Sequence, residues 1–425
     1  MLVLNSFILA ALDFYIFFAL KATSIKWVKT KAFTYIWWAY SVVLLTSVWA
    51  SFKFELPLSV RSVILVAFFI TAVCKFLFFA IILIDDFRRG GVWIARLFNR
   101  SNNKPKEPVE APAGEKMELA PELSVKETKG ISRSDFLMKS GILIGSLPAL
   151  PLSWGVISGA HDYRIKRVAL PLKNLPKAFH GFRIAQISDV HSGSFYNKKA
   201  VLGGVEMLLK EKADTIFFTG DLVNNKAEEM REYQDIFSKL KADFGVYSIL
   251  GNHDYGDYYF GAADSPEKRR NLQKLVDTQK VMGWDLLRDE HRSIQVGNDK
   301  IALVGVENWG LGRFPKKGDL QKALSGVNDE YPVKLLLSHD PSHWKAQVLD
   351  TDIDVMFAGH THGMQFGVRA KSFQWSPAQY IYKEWAGLYT ENDKSLYVNV
   401  GYGFLGYPGR VGILPEITIF ELQAV

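Results

Sequence analysis

The stretch FRIAQISDVH at residues 182–191 joins an apolar, strand-like run to an Asp-x-His pair. The same arrangement recurs in TGDLVN (219–224), LGNHD (250–254), LLSHD (336–340) and FAGHTHG (357–363). Because each polar group follows an apolar run, we expect these side chains at the ends of strands, where they can form one site. They are Asp189, His191, Asp221, Asn252, His253, His339, His360 and His362.

These side chains are typical of a site for two metal ions. Asp189 and His191 share one face of an extended chain, so both can reach one ion. Asp221 has two carboxylate oxygens and can bridge to a second ion. Nitrogen and oxygen donors without sulfur suit zinc, iron or manganese better than calcium or magnesium alone. The single cysteine, Cys74, lies in an apolar run, which excludes a thiolate cluster and an intrachain disulfide.

The ordered set Asp-x-His, Gly-Asp, Gly-Asn-His-Asp, Ser-His and Gly-His-Thr-His resembles the calcineurin-like metallophosphoesterase superfamily over residues 180–425. The resemblance implies a phosphoester hydrolase with two divalent metal ions, manganese, iron or zinc. It also implies the metal ligands: Asp189, His191 and His362 for the first ion, Asn252, His339 and His360 for the second, and Asp221 as the bridge.

The resemblance also implies how substrate is bound and cleaved. His253 would contact the phosphate as a proton donor or transition-state stabiliser, with Asn252 beside it, and Asp254 would orient its ring. The segment 401–410, GYGFLGYPGR, resembles the ending of a bacterial subgroup that includes membrane-associated phosphodiesterases and UDP-diacylglucosamine hydrolases. Within it Arg410 is a candidate phosphate clamp, since a guanidinium matches phosphate oxygens. The alternative is a surface arginine after a glycine turn.

The C-terminal part, residues 161–425, predicts an α/β fold. Strands are expected at 182–188, 214–219, 245–250, 293–296, 301–306, 333–337, 355–358, 396–400 and 416–422, and helices at 198–212, 228–241 and 265–278. An early α/β block followed by a strand-rich block indicates two mixed sheets with helices outside, which the resemblance implies as a four-layer metallophosphoesterase sandwich. The insertion 255–292 leaves the sheet after His253, and we expect it to influence substrate selectivity.

The N-terminal part predicts a membrane region with three spanning helices over residues 1–85. Apolar runs at 1–20, 33–52 and 60–84 are long enough to cross a bilayer. The alternative, buried helices of a soluble domain, is disfavoured because such runs are rare outside membranes. The stretch 86–132, rich in Pro, Glu, Lys and Ala over 101–130, predicts a flexible linker.

A fourth apolar segment at 133–160 is a candidate span that contains prolines and glycines. It resembles a twin-arginine export signal that kept only Arg133. Basic residues after the first and third runs place the N-terminus outside and the linker in the cytoplasm. If the fourth segment crosses, the catalytic domain faces the periplasm or the exterior of the inner (cell) membrane. The alternative is an interfacial or core helix, with the domain in the cytoplasm.

The net charge of +7 is concentrated beside the apolar segments, which favours membrane orientation over nucleic-acid binding. The sequence therefore predicts a membrane-anchored enzyme that hydrolyses phosphomonoesters or phosphodiesters, with a lipid-linked or envelope substrate favoured by location. A catalytically degenerate membrane sensor and a metal-dependent protein phosphatase are the alternatives. The intact set of ligands argues against a degenerate protein. The sequence indicates no particular oligomeric state.

Overall fold

The computed structural model describes residues 2–54, 56, 58–99, 133–312, 314–370 and 373–425. The chain forms two compact units, one of Met1–Glu55 with Ala67–Leu150, the other of Leu56–Val66 with Pro151–Val425. Most of the predicted linker, including all of 101–130, lies outside the described residues. We refer to the second unit, which contains the predicted catalytic domain of residues 161–425, as the catalytic unit.

The first unit is helical. Its helices are α1 (Leu2–Lys21), α2 (Lys31–Lys53), most of α3 (Leu58–Asn99) and α4 (Arg133–Ser146). Helix α2 begins where the side chain of Thr30 accepts a hydrogen bond from the backbone N–H of Phe33, an N-cap that satisfies one free donor of the first turn. Apolar side chains from α1, α2 and α3, among them Phe17, Phe33 and Phe78, form a buried cluster.

In the described part of the chain, three helical segments are long and apolar enough to cross a membrane, namely Lys31–Ser51, Val63–Arg96 and Asp135–His161. Helix α3 continues through residues 86–99, so the prediction of a flexible linker from residue 86 is wrong for these residues. Ion pairs one turn apart, Asp85 with Arg88 and Asp86 with Arg89, support the helix where the sequence pattern indicated its end.

The fourth apolar segment is helical in two pieces. Helix α4 ends at Ser146, and helix α5 (Ala149–Ile157) begins after a turn at Leu147 and Pro148. The proline ring has no N–H and disfavours helical backbone in the preceding residue, which explains the interruption. The last part of α5 belongs to the catalytic unit.

The catalytic unit continues with fourteen strands and six helices in its described residues. In chain order they are β1 (Arg164–Leu172), β2 (Arg183–Ile187), α6 (Lys198–Lys210), β3 (Thr215–Phe218), α7 (Gln234–Phe237), β4 (Val246–Ser248), α8 (Asp257–Phe260), α9 (Pro266–Met282), β5 (Asp285–Leu286), β6 (Glu290–Val296), β7 (Asp299–Gly305), α10 (Leu320–Leu324), β8 (Lys334–Leu337), α11 (His343–Ala346), β9 (Val355–Ala358), β10 (Val368–Arg369), β11 (Gln374–Trp375), β12 (Gly387–Glu391), β13 (Lys394–Val398) and β14 (Glu416–Ala424).

Two six-stranded mixed sheets form the centre of this unit. One has the order β1-β14-β2-β3-β4-β5, and the other β12-β13-β9-β8-β7-β6. In the first sheet β2 to β5 are parallel, whereas β14 is antiparallel to β2. In the second, the run from β7 through β8 and β9 to β13 is parallel. The predicted α/β class with two mixed sheets and outer helices is confirmed.

Alternating side chains place each sheet between two apolar layers. On β9, Val355 and Phe357 join the cluster between the sheets, while Met356 and Ala358 join a second cluster with α10 and α11. This follows from the period of two along a strand. On the first sheet the outer layer is formed by helices that include α6 and α9.

Several elements differ from the sequence prediction. The expected helix at 228–241 is a 3-10 helix at Ala227–Glu232 followed by the short α7, because the Glu229 carboxylate accepts backbone N–H groups of residues 224–226 and tightens the turn. Strands β1 and β12, both at sheet edges, were not predicted. In β1 several charged side chains interrupt the apolar pattern, which hides an edge strand from pattern analysis.

We expect Phe357→Ala to reduce the free energy of unfolding by about 3–5 kcal/mol, because it leaves a cavity between the sheets. The Phe357 ring contacts Phe217 of β3 and Phe420 of β14, with ring centroids 5.3 and 4.9 Å apart, and all three are fully buried. Urea denaturation of the full chain in detergent measures the change. Val281→Ala, at a residue 70% exposed, is the control. Equal stability of the two variants would contradict the packing described.

Candidate metal centre

The polar residues of the five motifs meet at one edge of the catalytic unit. Asp189 and Asp221 follow β2 and β3 of the first sheet, and His339 and His360 follow β8 and β9 of the second. In both sheets these strands are parallel neighbours, so their carboxyl ends lie side by side. The loops after the strands thereby bring donors from both sheets together.

The donors form two groups, each with its ligand atoms within 4.8 Å of one another: Asp189, His191 and His362, and Asp221, His339 and His360. The two groups are adjacent, since Oδ2 of Asp221 is 3.1 Å from Nε2 of His339 and 3.5 Å from Nε2 of His191. The carboxylate of Asp221 therefore has contacts in both groups.

Asn252 belongs to the second group. Its side-chain oxygen Oδ1 lies 2.8 Å from Nδ1 of His360, and its Nδ2 donates to the hydroxyl of Tyr258 at 2.9 Å. In this arrangement the side-chain oxygen of Asn252 faces the histidine. The structure thus brings together all seven residues that the sequence predicted as metal ligands.

Five of these donors have left-handed backbone conformations, which are uncommon in residues other than glycine. The φ angles are +53° for Asp189, +47° for His191, +60° for Asp221, +73° for His360 and +51° for His362. Hydrogen bonds to the carboxylates help to hold this strained backbone: the N–H of His360 donates to Asp189, and that of His253 to Asp221. Such strain is concentrated at functional sites.

Close packing around the loops leaves no room for larger side chains. A Cβ atom at Gly359 would lie 2.0 Å from Oγ of Ser188 and 2.3 Å from Oδ2 of Asp189. A Cβ at Gly220 would lie 2.7 Å from Nδ1 of His339. These two glycines let the strand ends approach closely enough for the donor groups to meet.

Burial and neighbouring charges together set the pKa values of the donors. Burial raises the pKa of Asp189 to about 6 and lowers that of His191 to about 3. Burial also acts on Asp221, but the neighbouring imidazoles, chiefly His339, outweigh it and hold the pKa of this carboxyl well below its usual range. In the described part of the chain, Nε2 of His191 and of His362 are buried without a hydrogen-bond partner.

This donor set fits divalent cations. Buried imidazole nitrogens without a partner are costly in an apolar interior, and a cation satisfies their lone pairs. Carboxylate, amide and imidazole donors without sulfur are the usual ligands of manganese, iron and zinc. The catalytic unit thus has two candidate sites for divalent metal ions.

Two of the histidines are oriented by backbone carbonyl groups. Nδ1 of His339 lies 2.6 Å from the carbonyl oxygen of Thr219, and Nδ1 of His253 lies 2.8 Å from that of Asn224. A carbonyl oxygen can only accept, so each Nδ1 carries a hydrogen and each Nε2 remains available. His253 is half-buried at the edge of the donor groups, and its ring centroid is 4.9 Å from that of His191.

Asp254 does not orient the His253 ring as predicted. Its carboxylate accepts hydrogen bonds from the backbone N–H groups of Asp221, Leu222, Val223 and Gly251, at distances between 2.8 and 3.2 Å. The short side chain points back under the loop that carries Asp221, while Asn224 holds the His253 ring. Burial, with the nearby charge of Asp221, raises the pKa of Asp254 to about 7. Asp254 therefore positions the Asp221 loop.

Arg410 is neither the predicted phosphate clamp nor a surface residue. It is 1% exposed, and its guanidinium donates to the carbonyl oxygens of Val400, Gly403 and Ile413. Its Nη2 also lies 3.2 Å from Nδ1 of His362. The guanidinium is occupied by backbone groups behind His362, so Arg410 supports the loop around that ligand.

Tyr382 contacts a donor and was not predicted from the sequence. Its hydroxyl oxygen lies 2.8 Å from Nε2 of His360, the ring nitrogen that does not contact Asn252. Tyr382 follows a 3-10 helix, Pro377–Tyr380, and lies in no ligand motif, so only the fold brings it to the site. It holds the ring of His360 with Nδ1 towards Asn252.

Two family models match separate parts of this chain. Residues 182–364 match a family described as calcineurin-like phosphoesterase, and residues 1–160 match one described as probable calcineurin-like phosphoesterase, transmembrane domain. A zebrafish (Danio rerio) transmembrane protein with metallophosphoesterase domain is 27% identical over 64% of this chain and 60% of its own length. The uncharacterized metallophosphoesterase YkuE of Bacillus subtilis is 28% identical over 70% of this chain and 99% of its own length.

The chain thus spans less than two thirds of the zebrafish relative. Among solved structures, a dimetal phosphatase from Danio rerio aligns with a TM-score of 0.32 at 14% identity, covering 52% of this chain and 88% of that one. The phosphopantetheinyl hydrolase of Mycobacterium tuberculosis aligns with a TM-score of 0.32 at 12% identity, covering 51% of this chain and 89% of that one.

We expect Asp221→Ala to lose metal from both donor groups, because its carboxylate contacts both. Elemental analysis of the purified full chain after incubation with manganese measures the bound metal. Metal should also raise the midpoint of thermal unfolding of the unmodified chain, since a ligand that binds the folded state stabilises it. Asp264→Ala, at an exposed residue in the 255–292 insertion, is the control. Full metal content in Asp221→Ala would show that the two groups do not share this carboxylate.

Proposed function

We propose that this metallophosphoesterase, whose residues 182–364 form a calcineurin-like phosphoesterase domain, hydrolyses phosphomonoesters or phosphodiesters with a metal-activated water molecule. The observation that carries the proposal is the pair of buried donor groups joined by Asp221. In this proposal Asp189, His191 and His362 would hold the first ion, manganese, iron or zinc, and Asn252, His339 and His360 would hold the second. The carboxylate of Asp221 would contribute to both sites.

When bound, the two cations would neutralise phosphate oxygens and lower the pKa of a water molecule between them. The side chains near the donor groups would hold the ligand loops in place and supply a proton. Nδ1 of His253 donates to the carbonyl of Asn224, so the ring in its doubly protonated, cationic form can donate the proton on Nε2 to the leaving oxygen. Asp254 accepts three backbone hydrogen bonds from the loop of Asp221 and a fourth from Gly251, so its part in the reaction is positioning.

Asn252 contributes to the second site through its oxygen. Its Nδ2 is engaged with Tyr258, an exposed side chain of α8 in the insertion that follows His253. The ring of Tyr258 also lies 4.5 Å from that of His253, measured between centroids. The insertion therefore reaches the edge of the site, which supports its role in selecting substrate. Asn252 and His253 lie at the same edge, and we propose that both contact the phosphate directly.

The chain is a membrane protein by its transmembrane domain and its apolar helices. We place it in the inner (cell) membrane, with the segment Asp135–His161 crossing to put the catalytic unit on the periplasmic or extracellular side. A membrane location favours a lipid-linked or envelope phosphoester over a phosphoprotein. The complete donor set favours an enzyme over a degenerate sensor, because a protein without catalysis has no need to retain all seven ligands.

We expect His253→Ala to keep its metal ions and to lose about 10²- to 10⁴-fold in kcat, the usual contribution of a general acid. Hydrolysis of bis-p-nitrophenyl phosphate by the manganese-loaded full chain measures the rate, and elemental analysis measures the metal. His180→Ala, at an exposed histidine outside the site, is the control. Unchanged kcat would exclude His253 as proton donor, and loss of metal would make it a ligand.

The sidedness is tested with a reporter fused after Val425. Alkaline phosphatase, which is active only after export, should be active in this position, while a fluorescent protein that folds only in the cytoplasm should not fluoresce. The matched control carries the same reporters after residue 99, which our placement leaves in the cytoplasm and which should give the reverse pattern. Cytoplasmic behaviour of the fusion at Val425 would refute the periplasmic or extracellular placement.

A further inference from the structure

The short hairpin β10–β11 and the residues around it expose an unusual number of large apolar side chains. Met364, Phe366, Val368, Phe373, Tyr380 and Ile381 are between 40% and 75% exposed, and we call them the hairpin surface. Single exposed apolar residues need no explanation, but six within one short segment mark an interaction site.

The hairpin surface is continuous with the metal centre. Met364 follows the ligand His362 by two residues, and the hydroxyl of Ser376, after β11, donates to the carbonyl of Gly363 at 2.6 Å. Tyr382, next to Ile381, contacts Nε2 of His360. The same loop therefore carries two metal ligands and the exposed apolar residues.

Helix α5 is connected to the same loop within the catalytic unit. Gln365 donates to the carbonyl of Tyr407 at 2.8 Å, and Phe366 pairs with Val411 in a β-bridge. From this segment the N–H of Arg410 donates to the carbonyl of Gly155 in α5 at 3.1 Å. Two α5 side chains, Trp154 and Ile157, are 67% and 79% exposed. A chain of short contacts thus links two exposed apolar patches.

The strand order shows that β1, the first strand of the catalytic unit, begins at the edge of the sheet where the metal centre lies. Strand β1 is parallel to β14, which is antiparallel to β2, so the start of β1 lies at the carboxyl end of β2. That end carries Asp189. Helix α5 belongs to the candidate span Asp135–His161 and lies in the transmembrane match of residues 1–160. Within the catalytic unit the chain therefore passes from α5 to β1 at the edge that holds the ligands.

We propose that the hairpin surface lies in the bilayer interface beside α5, and that the metal centre acts on phosphoesters whose alkyl chains remain in the membrane. This inference rests on the proposed phosphoesterase function. Tyr380 and Trp154 have apolar rings with a polar end, which suits the boundary between headgroups and acyl chains. In the reaction, water forms a bond to phosphorus, the bond from phosphorus to the leaving oxygen breaks, and that oxygen takes up a proton.

The depth of the hairpin surface tests the membrane contact. In the full chain with Cys74→Ser, an environment-sensitive fluorophore is attached through Phe373→Cys, and the protein is reconstituted in vesicles of phosphatidylethanolamine and phosphatidylglycerol. Lipids spin-labelled near the headgroup should quench it. The control label, through Val281→Cys, lies just before β5 at the opposite edge of the sheet and should stay unquenched. An unquenched label at 373, whether water, a second copy or another protein covers it, overturns the proposal.

The substrate class is tested with two esters that share one reacting group, methyl p-nitrophenyl phosphate in solution and hexadecyl p-nitrophenyl phosphate in the same vesicles. We expect kcat/KM to be at least about tenfold higher for the hexadecyl ester, since the alkyl chain brings it to the bilayer. The variant Val368→Ser with Phe373→Ser should lose this advantage and keep the methyl-ester rate. Val281→Ser should keep both.

The outcomes separate the two proposals. Equal rates for both esters, or an advantage retained by the double variant, would overturn the lipid inference and leave the phosphoesterase function in place. Cleavage of neither ester by the metal-loaded full chain would overturn the proposed function itself.

Discussion

The catalytic unit depends on keeping the buried carboxylate of Asp221 between imidazoles of two donor groups. A lone carboxylate in this interior would be costly, and the neighbouring histidines are what keep it ionised. Around it, four backbone hydrogen bonds to Asp254 and the left-handed conformations of five donors fix the loops. The two sheets serve this arrangement, because only their combined strand ends bring donors from distant parts of the sequence within reach.

Much of this site could be predicted from the sequence because its signals are local. Each ligand follows an apolar strand directly, so strand and donor are read from the same few residues. The roles of Asp254 and Arg410 could not be read in this way, since both depend on the direction in which a side chain points once the loop has folded. Tyr382 belongs to no motif and reaches His360 only through the fold.

The secondary structure also divides into elements that the local sequence reveals and elements that depend on the folded chain. Buried strands such as β8 and β9 were predicted nearly to the residue, because a short uninterrupted apolar run has few alternatives to a buried strand. The edge strands β1 and β12 were missed, since water on one side permits charged residues. Helix α3 runs past its apolar stretch because ion pairs support it there, and the turn at 224–229 is set by one glutamate that no periodicity reveals.

Strand β14 has a consequence for how the protein is made. It is the last strand of the described residues in chain order, yet it lies between β1 and β2 in the interior of the first sheet. Until β14 has been synthesised, β1 lacks its partner strand and one edge of β2 is open. The first sheet can therefore be completed only after its other five strands have already left the ribosome, so β2 and the Asp189 loop that follows it wait for a strand made more than 200 residues later.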